Sequence, residues 1–392
     1  MKNTPTGIIG SGAMGSGIAQ IAATNGHHTY IVDTNPAQLE KCRSGHQSTF
    51  DRLVEKGKIS PEEARAALSR LTYTTQLGDL ASCGLIIEAI VENHQAKADL
   101  LRHLESIVGA DCVLGTNTSS LSVTALSGAC QHPERVVGIH FFNPAPLMPL
   151  VEIVPALQTD ERLTADTLAL VQSWGKTTVL AKDTPGFIVN RVARPFYSEA
   201  IRIYEEGIGT MAQIDSAMRH MGFKMGPFEL MDFIGNDVNL AVTRTVWEAM
   251  FFDPRYRPSL TQQKLVEAGR FGRKSGRGYY DYANGAVAEQ APVSPQLQEK
   301  IGMRILAMLI NEAADALHLG VASARDLDLA MTRGVNYPKG LLAWGDELSP
   351  AVVRTIMNQL YQRYQEDRYR CSPLITDCVD KGVGFLEVKH SS

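Results

Sequence analysis

The sequence predicts an α/β domain over residues 1–183, followed by two all-α helical domains in tandem repeat, over residues 184–290 and 297–392. Three observations carry this expectation. Short β-branched runs alternate with longer helical runs through the first part of the chain, the pattern of a parallel sheet wrapped by helices. The strand-like runs then stop, and helical segments fill the rest. Finally, the C-terminal part repeats the part before it: Ile301 falls on Ile188, Arg304 on Arg191, Glu312-Ala313 on Glu199-Ala200, Gly320 on Gly207, Asp328 on Asp215 and Ala330-Met331 on Ala217-Met218, all at an offset of 113.

The bulk properties bound the rest. A chain of 392 residues is too long for one core. With 44% hydrophobic and 20% charged residues the composition is that of a soluble protein, and a net charge of −4 argues against a general polyanion binder, so no nucleic-acid partner is expected. No apolar run approaches membrane-span length, and the N-terminus enters a strand at once without a signal-peptide pattern. The six cysteines show no metal-type spacing; Cys42, Cys83, Cys112 and Cys130 sit in ordinary elements, which predicts no metal site and a reducing, cytoplasmic setting.

Thr6 to Gly10 reads as a short buried strand. Gly10, Gly12 and Gly15 then form a G-x-G-x-x-G, and Ser16 to Asn25 reads as a helix. Small residues there let the backbone turn tightly and approach a pyrophosphate on the helix N-terminus. His28 to Asp33 reads as the next strand, ending in a carboxylate about 20 residues beyond the glycines. A carboxylate there accepts from a ribose 2′-hydroxyl and repels a 2′-phosphate, so a Rossmann-type dinucleotide-binding domain that prefers NAD to NADP is expected. Pro36 to Lys58 and Pro61 to Arg70 read as paired polar helices, with Lys56 and Lys58 clustered at the end of the first. Gly84 to Glu88 and Asp111 to Gly115 are further strands. The hydroxyl and amide side chains of Thr116 to Ser120 follow the latter, at the sheet end where ligands bind.

The stretch from His140 to Glu152 organises the chain. It joins the strand-like runs 135–139 and 150–154, and Pro144 and Pro146 forbid helix between them. A His at one strand end and a Glu on the next can face each other. The carboxylate then fixes the tautomer and leaves the second ring nitrogen as a base. The plain alternative is a core histidine bonded to a backbone carbonyl.

Beyond it, Thr184 can cap a helix with Pro185 at its first position, and the helix runs from Gly186 to Glu206 with a kink at Pro195. Asn190, Arg194 and Tyr197 share one face of it. Met211 to Met221 and Glu229 to Met250 are further helices, and 271–278 is a basic, glycine-rich loop. Residues 283–296 read as a linker. In the second copy Asn190 becomes Met303, Arg194 becomes Ala307 and Tyr197 becomes Ile310, while Gly340-Leu341 stands for Gly226-Pro227. The polar stripe is apolar there, so the second copy is expected to pack rather than catalyse.

Six segments, GSGAMGSG (10–17), IIEAIVEN (86–93), TNTSSL (116–121), HFFNPAPLMPLVE (140–152), DTPGFIVNR (183–191) and MGPFEL (225–230), together resemble the 3-hydroxyacyl-CoA dehydrogenase family. The resemblance implies NAD-dependent oxidation of an (S)-3-hydroxyacyl-CoA, with His140 as general base, Glu152 orienting it, and Ser119 and Asn190 holding the substrate oxygen. It implies cofactor contacts at Gly10, Gly12, Ala13, Met14, Gly15, Asp33, Glu92, Lys97, Asn117, Ser119, Asn143 and Lys274, and places CoA phosphates near Lys56 and Lys58, which otherwise read as a solvated face. The tandem helical domain resembles the branch acting on 3-hydroxyadipyl-CoA, although the segment between the copies is short here. Pro149 and Lys224 also depart from the family pattern, in places that shape the acyl pocket.

Arg194 and Tyr197 are expected at the substrate's far end, where a guanidinium would pair with a second carboxylate; a structural ion pair or a snorkel to water is the alternative. Helical domains of this family commonly pair two subunits. That leaves room for a homo-oligomer, with copy 2 as a pseudo-dimer partner within one chain. Two rival readings stand beside this one: a dehydrogenase of a free hydroxy acid or sugar acid, and a non-catalytic NAD-binding or structural relative.

Overall fold

The computed structural model describes residues 4–283 and 291–388, so part of the expected linker lies outside the described residues. The chain divides into two units, Met1–Thr184 and Pro185–Ser392.

The first unit is built on one eight-stranded sheet: β1 Thr6–Ile9, β2 Thr29–Val32, β3 Leu71–Thr74, β4 Leu85–Glu88, β5 Val113–Thr116, β6 Val136–Phe141, β7 Leu150–Pro155 and β8 Thr177–Leu180. Their order is β3-β2-β1-β4-β5-β6-β7-β8, parallel except for the antiparallel pair β6–β7. The chain leaves β1 toward β2 and β3, then returns to β4 on the other side, so β1 and β4 flank a topological switch point where such sheets bind ligands. The helices are α1 Ala13–Thr24, α2 Pro36–Glu55, α3 Pro61–Ser69, α4 His94–Glu105, α5 Val123–Ser127 and α6 Glu161–Ser173. Separate apolar cores form on the two sheet faces, around Ile8, Ile31, Ile87 and Ile139 on one and Ile9, Val32, Ile86 and Leu114 on the other. Strands buried on both faces explain the near-continuous apolar runs in the sequence.

The second unit is helical: α7 Val189–Val192, α8 Arg194–Glu205, α9 Met211–His220, α10 Pro227–Ile234, α11 Asn236–Ala249, α12 Leu260–Glu267, α13 Pro295–His318, α14 Ala324–Gly334, α15 Leu341–Leu348, α16 Pro350–Tyr364 and α17 Pro373–Lys381. Two sequence expectations are corrected here. Thr184 does not start a helix: Gly186 at φ 78° and Phe187 at φ 47° hold a left-handed turn, and helix begins only at Val189. The expected helix 229–250 is two helices, because Gly235 sits at φ 104° between α10 and α11.

Helix α13 packs against α8 and α9, and its buried face includes Ala307 and Ile310, with Met303 half-buried. The expected copies therefore share one compact unit. Arg191 Nε donates to Glu312 Oε1 at 2.7 Å, and Arg304 Nε donates to Glu199 Oε1 at 2.6 Å. The Tyr256 hydroxyl donates to Glu312 at 2.6 Å, and the Tyr369 hydroxyl to Glu199 at 2.9 Å. Two further aspartates have matching tasks. Asp215 accepts the N–H groups of Phe228 and Glu229 at the start of α10, and Asp328 those of Leu342 and Ala343 at the start of α15. A Cβ at Gly226 or Gly340 would strike these carboxyl groups.

Candidate active site

His140 is the penultimate residue of β6 and Glu152 lies in β7. The antiparallel register sets them directly opposite. Nδ1 of His140 lies 2.6 Å from Oε2 of Glu152, with the glutamate fully buried and the histidine 5% exposed. A buried carboxylate this close accepts a hydrogen bond from Nδ1–H, so Nε2 is the nitrogen with base character. The loop between the strands carries Asn143, exposed, and both prolines. Lys176, not singled out in the sequence, pins that loop by donating to the carbonyls of Ala145 at 2.6 Å and Met148 at 2.8 Å. The loop also rests on α1, where a Cβ at Gly17 would come within 2.8 Å of Pro146.

The turn after β5 is fixed from below. Oε1 of Glu92 accepts from Thr118 Oγ1 at 2.6 Å, Ser119 N at 2.9 Å, and Ser120 N and Oγ at 3.2 and 3.1 Å. Burial pushes the Glu92 carboxyl up, but the Thr118 bond, the Lys97 charge and the serine donors outweigh it and hold it below its usual value. Lys97 itself is 1% exposed. Its ammonium donates to both oxygens of Glu88 at 3.0 and 2.8 Å and lies 3.4 Å from Glu92. Lys97, expected at the cofactor, thus directs its ammonium onto Glu88 and Glu92. Glu88 was missed, although a carboxylate ending an apolar strand was a visible signal. Asn117 accepts from Phe141 N at 2.8 Å, tying β5's end to the His140 strand. Asp183 caps α5, accepting from Ser122 Oγ, Val123 N and Thr124 N at 2.9, 3.1 and 2.7 Å.

The glycine turn fits a dinucleotide. A Cβ at Gly10, φ 96°, would come within 2.6 Å of the Ala89 carbonyl, and one at Gly15 would strike Gly10 O, so both are required by close packing. A Cβ at Gly12 meets nothing within 4 Å, leaving open approach above the N-terminus of α1. That end has no side-chain cap and no acidic residue in its first turn, so the N–H groups beside Ala13 and Met14 suit a pyrophosphate. Asp33 accepts from Ser11 N at 2.9 Å, Ser11 Oγ at 2.6 Å and Asn35 N at 3.0 Å. Burial raises its carboxyl, and these bonds more than offset that, keeping it ionised. Lys56 and Lys58 are exposed just past the end of α2.

In the second unit, Asn190 lies on α7 and Arg194 opens α8, with Tyr197 one turn on. The two short helices are divided at Ala193, just before Pro195, and stay helical in φ and ψ through the break. Lys274 pairs with Asp237 at 2.6 Å, beside Gly235.

A family model described as "3-hydroxyacyl-CoA dehydrogenase, NAD binding domain" matches residues 5–184, and one described as "3-hydroxyacyl-CoA dehydrogenase, C-terminal domain" matches residues 186–282 and 301–386. A 3-hydroxyadipyl-CoA dehydrogenase of Escherichia coli (strain K12) is 38% identical, over 94% of this chain and 96% of that one. The mitochondrial hydroxyacyl-coenzyme A dehydrogenase of Homo sapiens is 37% identical, over 70% of this chain and 90% of its own length. Among solved structures, a 3-hydroxybutyryl-CoA dehydrogenase from Escherichia coli K12 superposes with a TM-score of 0.92 at 36% identity, covering 97% of this chain and all of that one. The (S)-3-hydroxybutyryl-CoA dehydrogenase of Ralstonia eutropha gives 0.70 at 38% identity over 72% of this chain and all of that one. With the glycine cradle, the acidic strand end and the His–Glu pair, these matches establish that the chain is an NAD-dependent oxidoreductase belonging to the 3-hydroxyacyl-CoA dehydrogenase family.

Proposed function

We propose that the chain interconverts an (S)-3-hydroxyacyl-CoA and its 3-ketoacyl-CoA, with His140 as the general base. The observation that carries this is the 2.6 Å contact between His140 and the fully buried Glu152. A secondary alcohol gives up hydride only as its hydroxyl proton leaves. Nε2 of His140 takes that proton, and Glu152 holds the ring and offsets the positive charge it gains. Bound NAD supplies the hydride acceptor. Gly10, Gly12, Ala13, Met14 and Gly15 hold its pyrophosphate, and Asp33 its adenosine ribose. Glu92, held by Lys97, serves the nicotinamide ribose, and Asn117, Asn143 and Lys274 complete the cofactor set. Ser119 and Asn190 orient the substrate oxygen. The hydrogen bonds that fix the 118–120 turn support the role of Ser119, since a rigid turn keeps the hydroxyl in place. Lys56 and Lys58 meet the CoA phosphates.

The 3-hydroxyadipyl group is the acyl portion we favour, because the relative of that name matches nearly the full length of the chain. We read residues 185–392 as two copies of one helical domain, the second a pseudo-dimer partner within the chain. Support comes from the crossed Arg191–Glu312 and Arg304–Glu199 pairs, since residue i meeting j while the equivalent j meets i is the mark of a two-fold contact.

The test is acetoacetyl-CoA reduction followed as NADH loss, with CoA affinity separating this reading from a free-acid dehydrogenase. His140→Ala should lower kcat by about 10²–10⁴ while leaving NADH affinity unchanged. Wild-type turnover in that variant would return His140 to the protein core.

A further inference from the structure

Arg194 is 6% exposed. A guanidinium stays charged, so burying it is costly unless an anion answers it. Its neighbours obey that rule: Arg191, Arg255 and Arg304 each meet carboxylates at 2.6 to 3.3 Å. Among the described residues, no carboxylate comes within ion-pair distance of Arg194. Nη1 donates to Thr243 Oγ1 at 3.1 Å, Nε is buried with no partner, and the guanidinium lies over the Tyr197 ring, 4.9 Å from its centroid. Both bland alternatives fail here, because the side chain is neither paired nor in water.

A second orphan packs against the same helix, α8. Tyr337, between α14 and α15, is 5% exposed, and its hydroxyl is buried without a partner. Its ring packs on Phe196, 5.7 Å away, and on Phe223, 4.9 Å away. Burial pushes the Arg194 guanidinium down, and the groups acting against that are Tyr197 and Tyr337. Two buried donors without a partner, one on the cation itself and one on a neighbouring side chain, call for an acceptor, and the cation favours a negatively charged one.

We infer that Arg194, held in place by Thr243, and Tyr337 form a receptor for a carboxylate at the far end of the acyl chain, and that the second helical copy supplies Tyr337 to it. The inference rests on the assignment of Asn190 to the substrate oxygen, since Arg194 lies one helical turn beyond, about 5–6 Å along the same face. The planar guanidinium engages a carboxylate through two parallel bonds, and the phenol adds a third donor. The second copy is thus a determinant of specificity as well as a packing surface.

The experiment compares kcat/KM for 3-hydroxyadipyl-CoA and 3-hydroxyhexanoyl-CoA, equal in chain length, on the full-length protein. The wild type should prefer the dicarboxylate. Arg194→Met, which nearly conserves volume, should cut the ratio of the two values by about ten- to a hundredfold, the worth of charged hydrogen bonds. Tyr337→Phe removes one oxygen and should cut the same ratio by roughly tenfold, mostly through KM. Equal wild-type values, or equal losses on both substrates, overturn the receptor. If Arg194→Met does not fold, the wild-type ratio and Tyr337→Phe decide alone. Wild type inactive on both acyl-CoAs would sink the proposed reaction and the receptor with it, whereas activity without preference sinks the receptor only.

Discussion

Replacing Glu152 by glutamine keeps the shape of the side chain and removes its charge. The wild-type carboxylate is fully buried and 2.6 Å from Nδ1, so little solvent screens it from the imidazolium formed when His140 takes a proton. At an effective dielectric of about 20 and a separation of about 4 Å between charge centres, that attraction is worth about 4 kcal/mol. Each 1.36 kcal/mol is about tenfold in rate, so Glu152→Gln should lower kcat by about three orders of magnitude. The glutamine amide can also turn its NH2 toward Nδ1, which would hold the wrong tautomer and deepen the loss. The assay is the initial rate of NADH oxidation with acetoacetyl-CoA, run beside a fluorescence titration of NADH. The affinity should not move, because Glu152 lies in β7, four places along the sheet from β1 and its glycine turn. A kcat within threefold of wild type would refute the reasoning, since the buried charge would then contribute nothing to the transition state.

Asp33→Ala should weaken NAD binding by about ten- to a hundredfold and relax the rejection of NADP, because it removes a charged acceptor and a repelling charge together; an unchanged NAD/NADP ratio in kcat/KM would mean the carboxylate serves only its own turn, through Ser11 and Asn35. Glu312→Ala leaves Arg191 and Arg255 facing only Asp315, and should destabilise the helical unit by about 3–5 kcal/mol. Glu199→Ala, its crossed counterpart, should cost a similar amount in urea unfolding followed by circular dichroism, and losses below about 1 kcal/mol in both would remove the pairs from the account of stability. Truncation after Asp281 strips α13 from α8 and α9, so the remainder should aggregate or self-associate in light scattering; a stable, monomeric and fully active fragment would contradict the pseudo-dimer reading.

Much of the first unit was legible because its signals are local. Glycines at fixed spacing, an acidic strand end and two strands flanking prolines each state a backbone requirement within a few residues. Strands β3 and β8 were not read, since Leu-Thr-Tyr-Thr and Thr-Thr-Val-Leu are short and mix polar with apolar residues at or near the sheet edges. Lys97 was assigned to the cofactor because sequence gives a side chain's position and not its direction, and only the structure turns it onto Glu88. The break at Gly235 was hidden in a run whose apolar periodicity continues across it. The repeat matched Glu199 to Glu312 and Arg191 to Arg304, yet it could not show that each glutamate serves the other copy's arginine. Gly276-Arg-Gly278 and Gly382-Val-Gly384 each set a glycine against an aspartate, Asp232 and Asp346, a likeness that an offset of 113 does not bring into register.

The crossed pairs have a further consequence. Two identical subunits held by such a contact dissociate on dilution, and any substitution in one appears in both. Within one polypeptide the Arg191–Glu312 and Arg304–Glu199 contacts are independent of concentration, and a substitution on one side leaves the other unchanged. The two sides differ in detail: Asp315, 113 residues after Arg202, pairs with Arg255, whereas Arg368 and Arg202 both pair with Glu366. If the two halves are copies of one domain, as proposed above, one of them can carry residues that a pair of identical subunits would have to place on both sides.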